Sequence, residues 1–198
     1  MNGLKIMDEL TNDKKITFIY TAINDCQSTI RAIDVKLGAL LAGMLLPVAS
    51  LDKIWSVLDA FYKQNDNLFG KLTLILFFFL WFISVVILIR TFAAIDNPSR
   101  HISQSNDSIG SFFGGGQFQF AKRDVFFNRQ SVKSKYSVPV MICSYPESIV
   151  NLINELTFEH LKLIYIRDIK LHRLKSGVLA AFLWSMLGIS IYSATKIQ

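Results

Sequence analysis

The chain has 198 residues, a formal charge of +6 and 52% hydrophobic residues, 16 Phe among them, which leaves room for one modest domain plus a few membrane spans. A mean hydropathy of +0.37 is membrane-like, although 21 Lys and Arg and 15 Asp and Glu remain for water-exposed parts. Cys26 and Cys143 form no C-x-x-C pair and argue for neither a zinc site nor a disulfide framework.

Residues 1–13 are polar and charged, so no cleavable signal peptide is expected. The first helix is predicted to start near Asn12 or Asp13, both good N-cap residues. Ile16, Ile23, Ile30 and Leu37 recur every seven residues, and Tyr20, Gln27, Asp34 and Leu41 fill the four-residue offsets of a coiled-coil-like seam. Two roles fit Asp34: setting register at a helix end, or facing a cation or ligand. Residues 37–51 carry no charge and become a full span, 37–58, if Asp52 and Lys53 lie at the interface with Trp55 as an aromatic anchor. Pro47 would then kink it inside the membrane. Small residues at four-residue spacing (Gly38 and Ala42, Ala39 and Gly43, and later Gly177, Ala181 and Ser185) predict close packing of the first span on the last.

Residues 52–71, with three Lys and three Asp, read as a short loop, of which 59–70 separates the first two spans. The second span is 71–90, with eighteen uncharged residues over 72–89 before Arg90. A soluble segment of 91–175 comes next. Residues 90–175 hold 12 of the 21 Lys and Arg, against 3 in the short loop, so the positive-inside rule places the N-terminal helix (1–36) and this segment in the cytoplasm. Asn97-Pro98 is expected to end the helix that continues from the second span. Gly114-Gly115-Gly116 marks a loop tip. Phe118 and Phe120 alternate with Gln117 and Gln119 in a strand period, and Phe126-Phe127 and 138–142 offer further extended pieces, the last confined to an edge by Pro139. A long helix then runs from Glu147, behind Pro146, into the uncharged third span at 176–195. The expected architecture is mainly α and integral to the membrane: two to three transmembrane helices, cytoplasmic helical extensions, and a small loop or β-hairpin region.

No catalytic pattern is present. His101, His160 and His172 lack metal-ligand spacing, there is no G-x-S-x-G, and the triple Gly is not followed by Lys-Ser or Lys-Thr. The chain is therefore not expected to be an enzyme, to hold a metal or cofactor, or to bind nucleic acid. On the last helix, Ile149, Ile153, Leu156, Leu163, Leu171 and Leu174 share one face, with His160 and Arg167 in its middle. A cation on an apolar stripe needs an anion, and Asp34 is a candidate for Arg167; snorkelling past a short partner helix is the alternative. Arg100, His101, Lys122 and Arg123 form a second basic cluster near the Phe-rich loop, where either a nucleotide or plain solvent would be met.

Asp34-Val35-Lys36 leading into Leu37-Gly38-Ala39-Leu40-Leu41 resembles the D-x-K-x-x-x-L-L approach to the first span in bacterial Pycsar membrane effectors. The run Tyr165-Ile166-Arg167-Asp168-Ile169-Lys170-Leu171-His172-Arg173-Leu174-Lys175 is similar to their closing helix. The resemblance covers about half the chain, and SLATT-type defence effectors share the geometry of helices running into spans. It implies a homo-oligomeric, multi-pass protein of the bacterial inner membrane with its N-terminus in the cytoplasm. A partner cyclase makes cyclic CMP or cyclic UMP on phage infection, and the effector responds by impairing the membrane, with growth arrest or cell death. Candidate ligand-binding residues are Asp34, Lys36, Arg100, Lys122, Arg123, His160 and Arg167. The rival readings are a constitutive membrane scaffold recruiting a cytoplasmic partner, a SLATT-type effector with another ligand, and a small transporter; the last is disfavoured because no span carries an internal charge.

Overall fold

The computed structural model describes residues 2–93, 98–103, 118 and 134–196, with side chains in the first helix from Thr11 onward. These residues form α1 (Asn2–Leu45), α2 (Leu51–Gln64), α3 (Leu68–Phe92), α4 (Val138–Cys143) and α5 (Ile149–Lys196), with 3-10 turns at Leu46–Ser50 and Pro98–His101. Three helical stretches among them, Thr11–Gln64, Leu68–Phe92 and Ile149–Lys196, are long and apolar enough to cross a membrane. The chain is thus a mainly α membrane protein, as the composition requires: in hydrocarbon the backbone must satisfy its own hydrogen bonds, and a helix does so within one segment. The contacts divide the chain into two compact units. The first comprises Met1–Gln27 with Asn97–Tyr165, the second Ser28–Asp96 with Ile166–Gln198.

Several local features differ from expectation. α1 begins at Asn2, so Asn12 and Asp13 lie inside it. A capping residue ends a helix only where the chain upstream leaves helical geometry, and no Pro or Gly lies between Leu4 and Leu37 to force that. Burial along α1 runs through Ile23, Cys26, Ile33, Leu37 and Met44. The second set of seam positions is therefore offset by three residues and not four, which moves Gln27 and Asp34 to the edge of the seam. Pro47 interrupts the helix as expected, because it has no N–H and its ring crowds the preceding turn. α1 stops at Leu45, a 3-10 turn carries Pro47, and Trp81 Nε1 of α3 donates to the Met44 carbonyl at 2.9 Å.

The 52–71 segment, expected as a loop, is mostly helix. Asp52, Asp59 and Lys63 share one face of α2, Lys63 pairs with Asp59 at 2.7 Å, and Leu58 and Phe61 are buried on the other side. The connection shrinks to 65–67. Asn67 caps α3, its Oδ1 accepting from the Gly70 N–H at 2.8 Å. A Cβ at Gly70 would lie 2.1 Å from the Asn65 carbonyl oxygen, so only glycine fits this turn. α3 ends at Phe92, ahead of Asn97-Pro98, with Ala93 extended at ψ 139°.

Two apolar clusters organise the second unit. One joins Ile33, Leu37 and Met44 of α1 to Leu88 of α3 and to Leu174 and Ala181 of α5. The other joins Leu58 and Phe61 of α2 to Phe77 of α3 and Ile191 of α5, and Trp184 packs against both. Between apolar helices in lipid, close packing supplies the attraction that water would otherwise drive. Of the small residues of the last span, Gly177 meets α3, whereas Ala181 joins the cluster that holds Leu37 and Met44 of the first span. A Cβ at Gly177 would fall 2.8 Å from Leu88 Cδ2, while one at Gly43 would meet nothing within 4 Å.

In the first unit, 138–142 is helical and not extended. Pro139 sits in the first turn of α4, where its fixed φ suits a helix start, behind an extended Ser137 at φ −74°, ψ 161°. α5 starts at Ile149, two residues past Glu147, and Ser148 Oγ accepts the Asn151 N–H at 3.2 Å. An isolated antiparallel bridge pairs Phe118 with Ser134. Gln117, Gln119, Phe120 and Phe126-Phe127, and with them the expected hairpin, lie outside the described residues, as do Phe112, Phe113 and the Gly114–116 tip.

Candidate functional sites

In the second unit, charged groups collect where the helices approach the spans. Lys170 is buried on α5, and its Nζ lies 2.5 Å from Asp34 Oδ1 on α1. Their side chains are 11% and 35% exposed, so the pair is sheltered on the Lys side and wet on the Asp side. Arg173 Nη1 donates to the Arg90 carbonyl at 3.0 Å, placing a cation at the negative end of α3. Arg167 is half-buried and bonds its neighbour Asp168, Nη2 to Oδ1 at 2.9 Å. The expected Asp34–Arg167 pairing is therefore replaced by Asp34–Lys170. Three residues along a helix shift a side chain by about 4.5 Å axially and about 60° around it, which is enough to exchange one cation for another. Lys36 is exposed on α1.

In the first unit, the face of α5 carries a charge cluster that the apolar pattern conceals. Glu159 is 2% exposed and Glu155 6%, on either side of the buried Leu156 and Phe158. Lys162, one turn on, forms an ion pair with Glu159 Oε1 and holds its Nζ 4.8 Å from the centre of the Phe158 ring. Burial pushes the Glu159 carboxyl above the ordinary Glu range, against the opposing pull of Lys162 and with a smaller upward push from Glu155. Glu159 occupies the line of Leu156 and Leu163, three residues from one and four from the other. That spacing is the one signal of it in the sequence, and the basic residues His160 and Arg167 on the same stripe draw attention away from it.

His160 is half-buried on α5, and Arg100 is exposed in the 3-10 turn Pro98–His101. The next residue, His101, stacks on Tyr165 of α5 with ring centroids 4.4 Å apart and planes 14° apart. Lys122 and Arg123 lie outside the described residues. The candidates are thus divided: Arg100 and His160 belong to the first unit, Asp34, Lys36 and Arg167 to the second. Among the described residues no group of three or more His, Cys, Asp or Glu side chains is placed to hold a metal ion.

No family model, curated protein or solved structure matches the chain.

The charges define what the arrangement can do. A buried carboxylate with a raised pKa, a lysine–aspartate pair and an arginine on a helix end are electrostatic joints, sensitive to any charged ligand or proton that competes for a member. They lie on α1, α3 and α5, the helices that also carry the membrane-length stretches.

Proposed function

We propose that this protein is a membrane-embedded effector of an antiphage defence system, activated by cyclic CMP or cyclic UMP from a partner cyclase and acting by impairing the inner membrane. One observation carries the reading. α5 is a single helix over Ile149–Lys196 that contains the buried Glu159–Lys162 pair near one end, Lys170 in its pair with Asp34, and the uncharged 176–195 stretch near the other. A helix without a break transmits rotation and translation along its length, so a change at the charged end is felt in the span. The resemblance of 34–41 and 165–175 to Pycsar membrane effectors supports the same reading. The preponderance of Lys and Arg in 90–175 supports an orientation with the N-terminus and this segment in the cytoplasm, so the exposed Cys143 should resist a membrane-impermeant thiol reagent in intact cells.

The test is reconstitution of the purified protein in dye-loaded liposomes of inner-membrane lipids, with cyclic CMP or cyclic UMP added on the face that bears Cys143. Dye release or collapse of an imposed potential is expected with one of the two nucleotides. Intact liposomes with both, together with unaltered growth of cells co-expressing a pyrimidine cyclase, would turn the assignment toward a constitutive scaffold.

A further inference from the structure

We infer that the outward face of α1 near its start, together with Ile153 of α5, is a binding site for a ring-bearing phosphate anion of the nucleoside monophosphate class. A cavity of about 400 Å³ in the first unit is lined by Thr11, Lys14, Lys15, Phe18, Ile19 and Ile153. It is a shallow, open depression, so a ligand seated there would keep much of its surface in water. Thr11, Lys14, Lys15 and Phe18 fall within an arc of about 100° on the helix, and Asp13 points to the far side. Neither lysine forms an ion pair with an acid among the described residues, a state they share with Lys36, Lys53 and Lys175. Phe18 is 72% exposed in the first unit, apart from the apolar clusters of the second.

Two cations with no acid partner among the described residues, beside an exposed aromatic face, complement a ligand that is negative at one end and flat at the other. A phosphate oxygen takes charge-assisted hydrogen bonds from Lys14 or Lys15, and a base stacks on Phe18. Ile19 and Ile153 close the apolar side. A free inorganic anion would use the lysines and waste the ring; an apolar ligand would strand the lysines. A nucleotide uses both. The identification of the ligand as a cyclic pyrimidine nucleotide rests on the function proposed above; the site itself rests on the cavity and its lining.

The experiment measures binding of fluorescently labelled cyclic CMP and cyclic UMP to the full-length protein in detergent, with CMP, UMP and inorganic phosphate as competitors. Lys14→Ala, Lys15→Ala, Phe18→Ala and the remote Lys63→Ala are compared. Loss of the stacking ring or of one phosphate-facing cation should weaken binding about tenfold, Lys63→Ala should change it less than twofold, and added salt should weaken it further. All four side chains are exposed, so the variants should fold. Cyclic nucleotide binding that is indifferent to Lys14, Lys15 and Phe18 would overturn this site and leave the proposed function standing. Binding of CMP or UMP but of neither cyclic form, sensitive to the same three residues, would keep the site and remove the function. No binding of any probe, or competition by inorganic phosphate as strong as that of the nucleotides, would overturn the site.

Discussion

Trp81→Phe is the sharpest test of how the interrupted first span is held. Trp81 and Trp184 are both half-buried against the same cluster, so removing the indole from either loses a similar volume. They differ in one bond. Trp81 Nε1 donates to the Met44 carbonyl at 2.9 Å, beside the break made by Pro47, whereas Trp184 Nε1 is buried with no acceptor among the described residues. Interhelical hydrogen bonds in membranes contribute about 0.6 kcal/mol on average and up to about 2. A carbonyl left without a donor away from water adds to that loss, about 1–3 kcal/mol in full. The excess cost of Trp81→Phe over Trp184→Phe should therefore be about 1–2 kcal/mol. Trp184→Phe should be nearly neutral in hydrogen bonding, since it removes an unsatisfied donor. Equilibrium unfolding by SDS in mixed micelles, tracked by far-UV circular dichroism, reads the difference without depending on tryptophan emission. Equal costs for the two variants, or a greater cost at Trp184, would refute the account of the Pro47 break.

Three further outcomes are expected. Asp34→Asn should destabilise by about 1–2 kcal/mol, less than the 3–5 of a fully buried pair because the Asp side chain is about a third exposed. Exchanging Asp34 and Lys170 should recover part of that loss, while Asp34→Arg with Arg167→Asp should not; strictly additive effects in a double-mutant cycle would show that the two side chains do not interact. Because the folded-state pKa of Glu159 is raised, the folded form holds the proton more tightly than the unfolded one. Stability attributable to Glu159 is then greatest below its unfolded value of 4.5 and falls as pH rises from there through the folded pKa. Glu159→Gln should flatten this slope in melting curves across pH 4–8; a difference between the proteins that does not change with pH would contradict it. Lastly, one Ala inserted between Tyr165 and Ile166 turns the remainder of α5 by about 100°, and seven inserted helical residues nearly restore the phase. The single insertion should abolish nucleotide-dependent leakage with helix content intact, and the longer one should recover part of it; leakage unchanged by the single Ala would make α5 a tether and not a transmitter. The same insertion at Lys175–Ser176 is a poorer test, because Leu174 and Gly177 on its two sides both pack against the second unit's core at Leu88.

The sequence by itself determined that this is a helical membrane protein, because the uncharged runs 37–51, 72–89 and 176–195 have no low-energy place in water and no satisfied backbone other than a helix in lipid. It also placed the interruption at Pro47, since a missing N–H acts locally whatever surrounds it. Tertiary structure decided what periodicity could not. Inside a span every direction is apolar, so no amphipathic face says which helix Gly177 meets, and only packing assigns it to Leu88 of α3. On α2 the charges suggest a loop, although they fill one face of a helix whose other face holds Leu58 and Phe61. The choice of Lys170 over Arg167 for Asp34 depends on the axial register of two helices 136 residues apart in the chain, a quantity no local pattern encodes. Glu159 marks the same limit from the other side: a carboxylate on an apolar line is either exposed at its edge or buried with a partner, and the neighbouring elements, not the line itself, settle which.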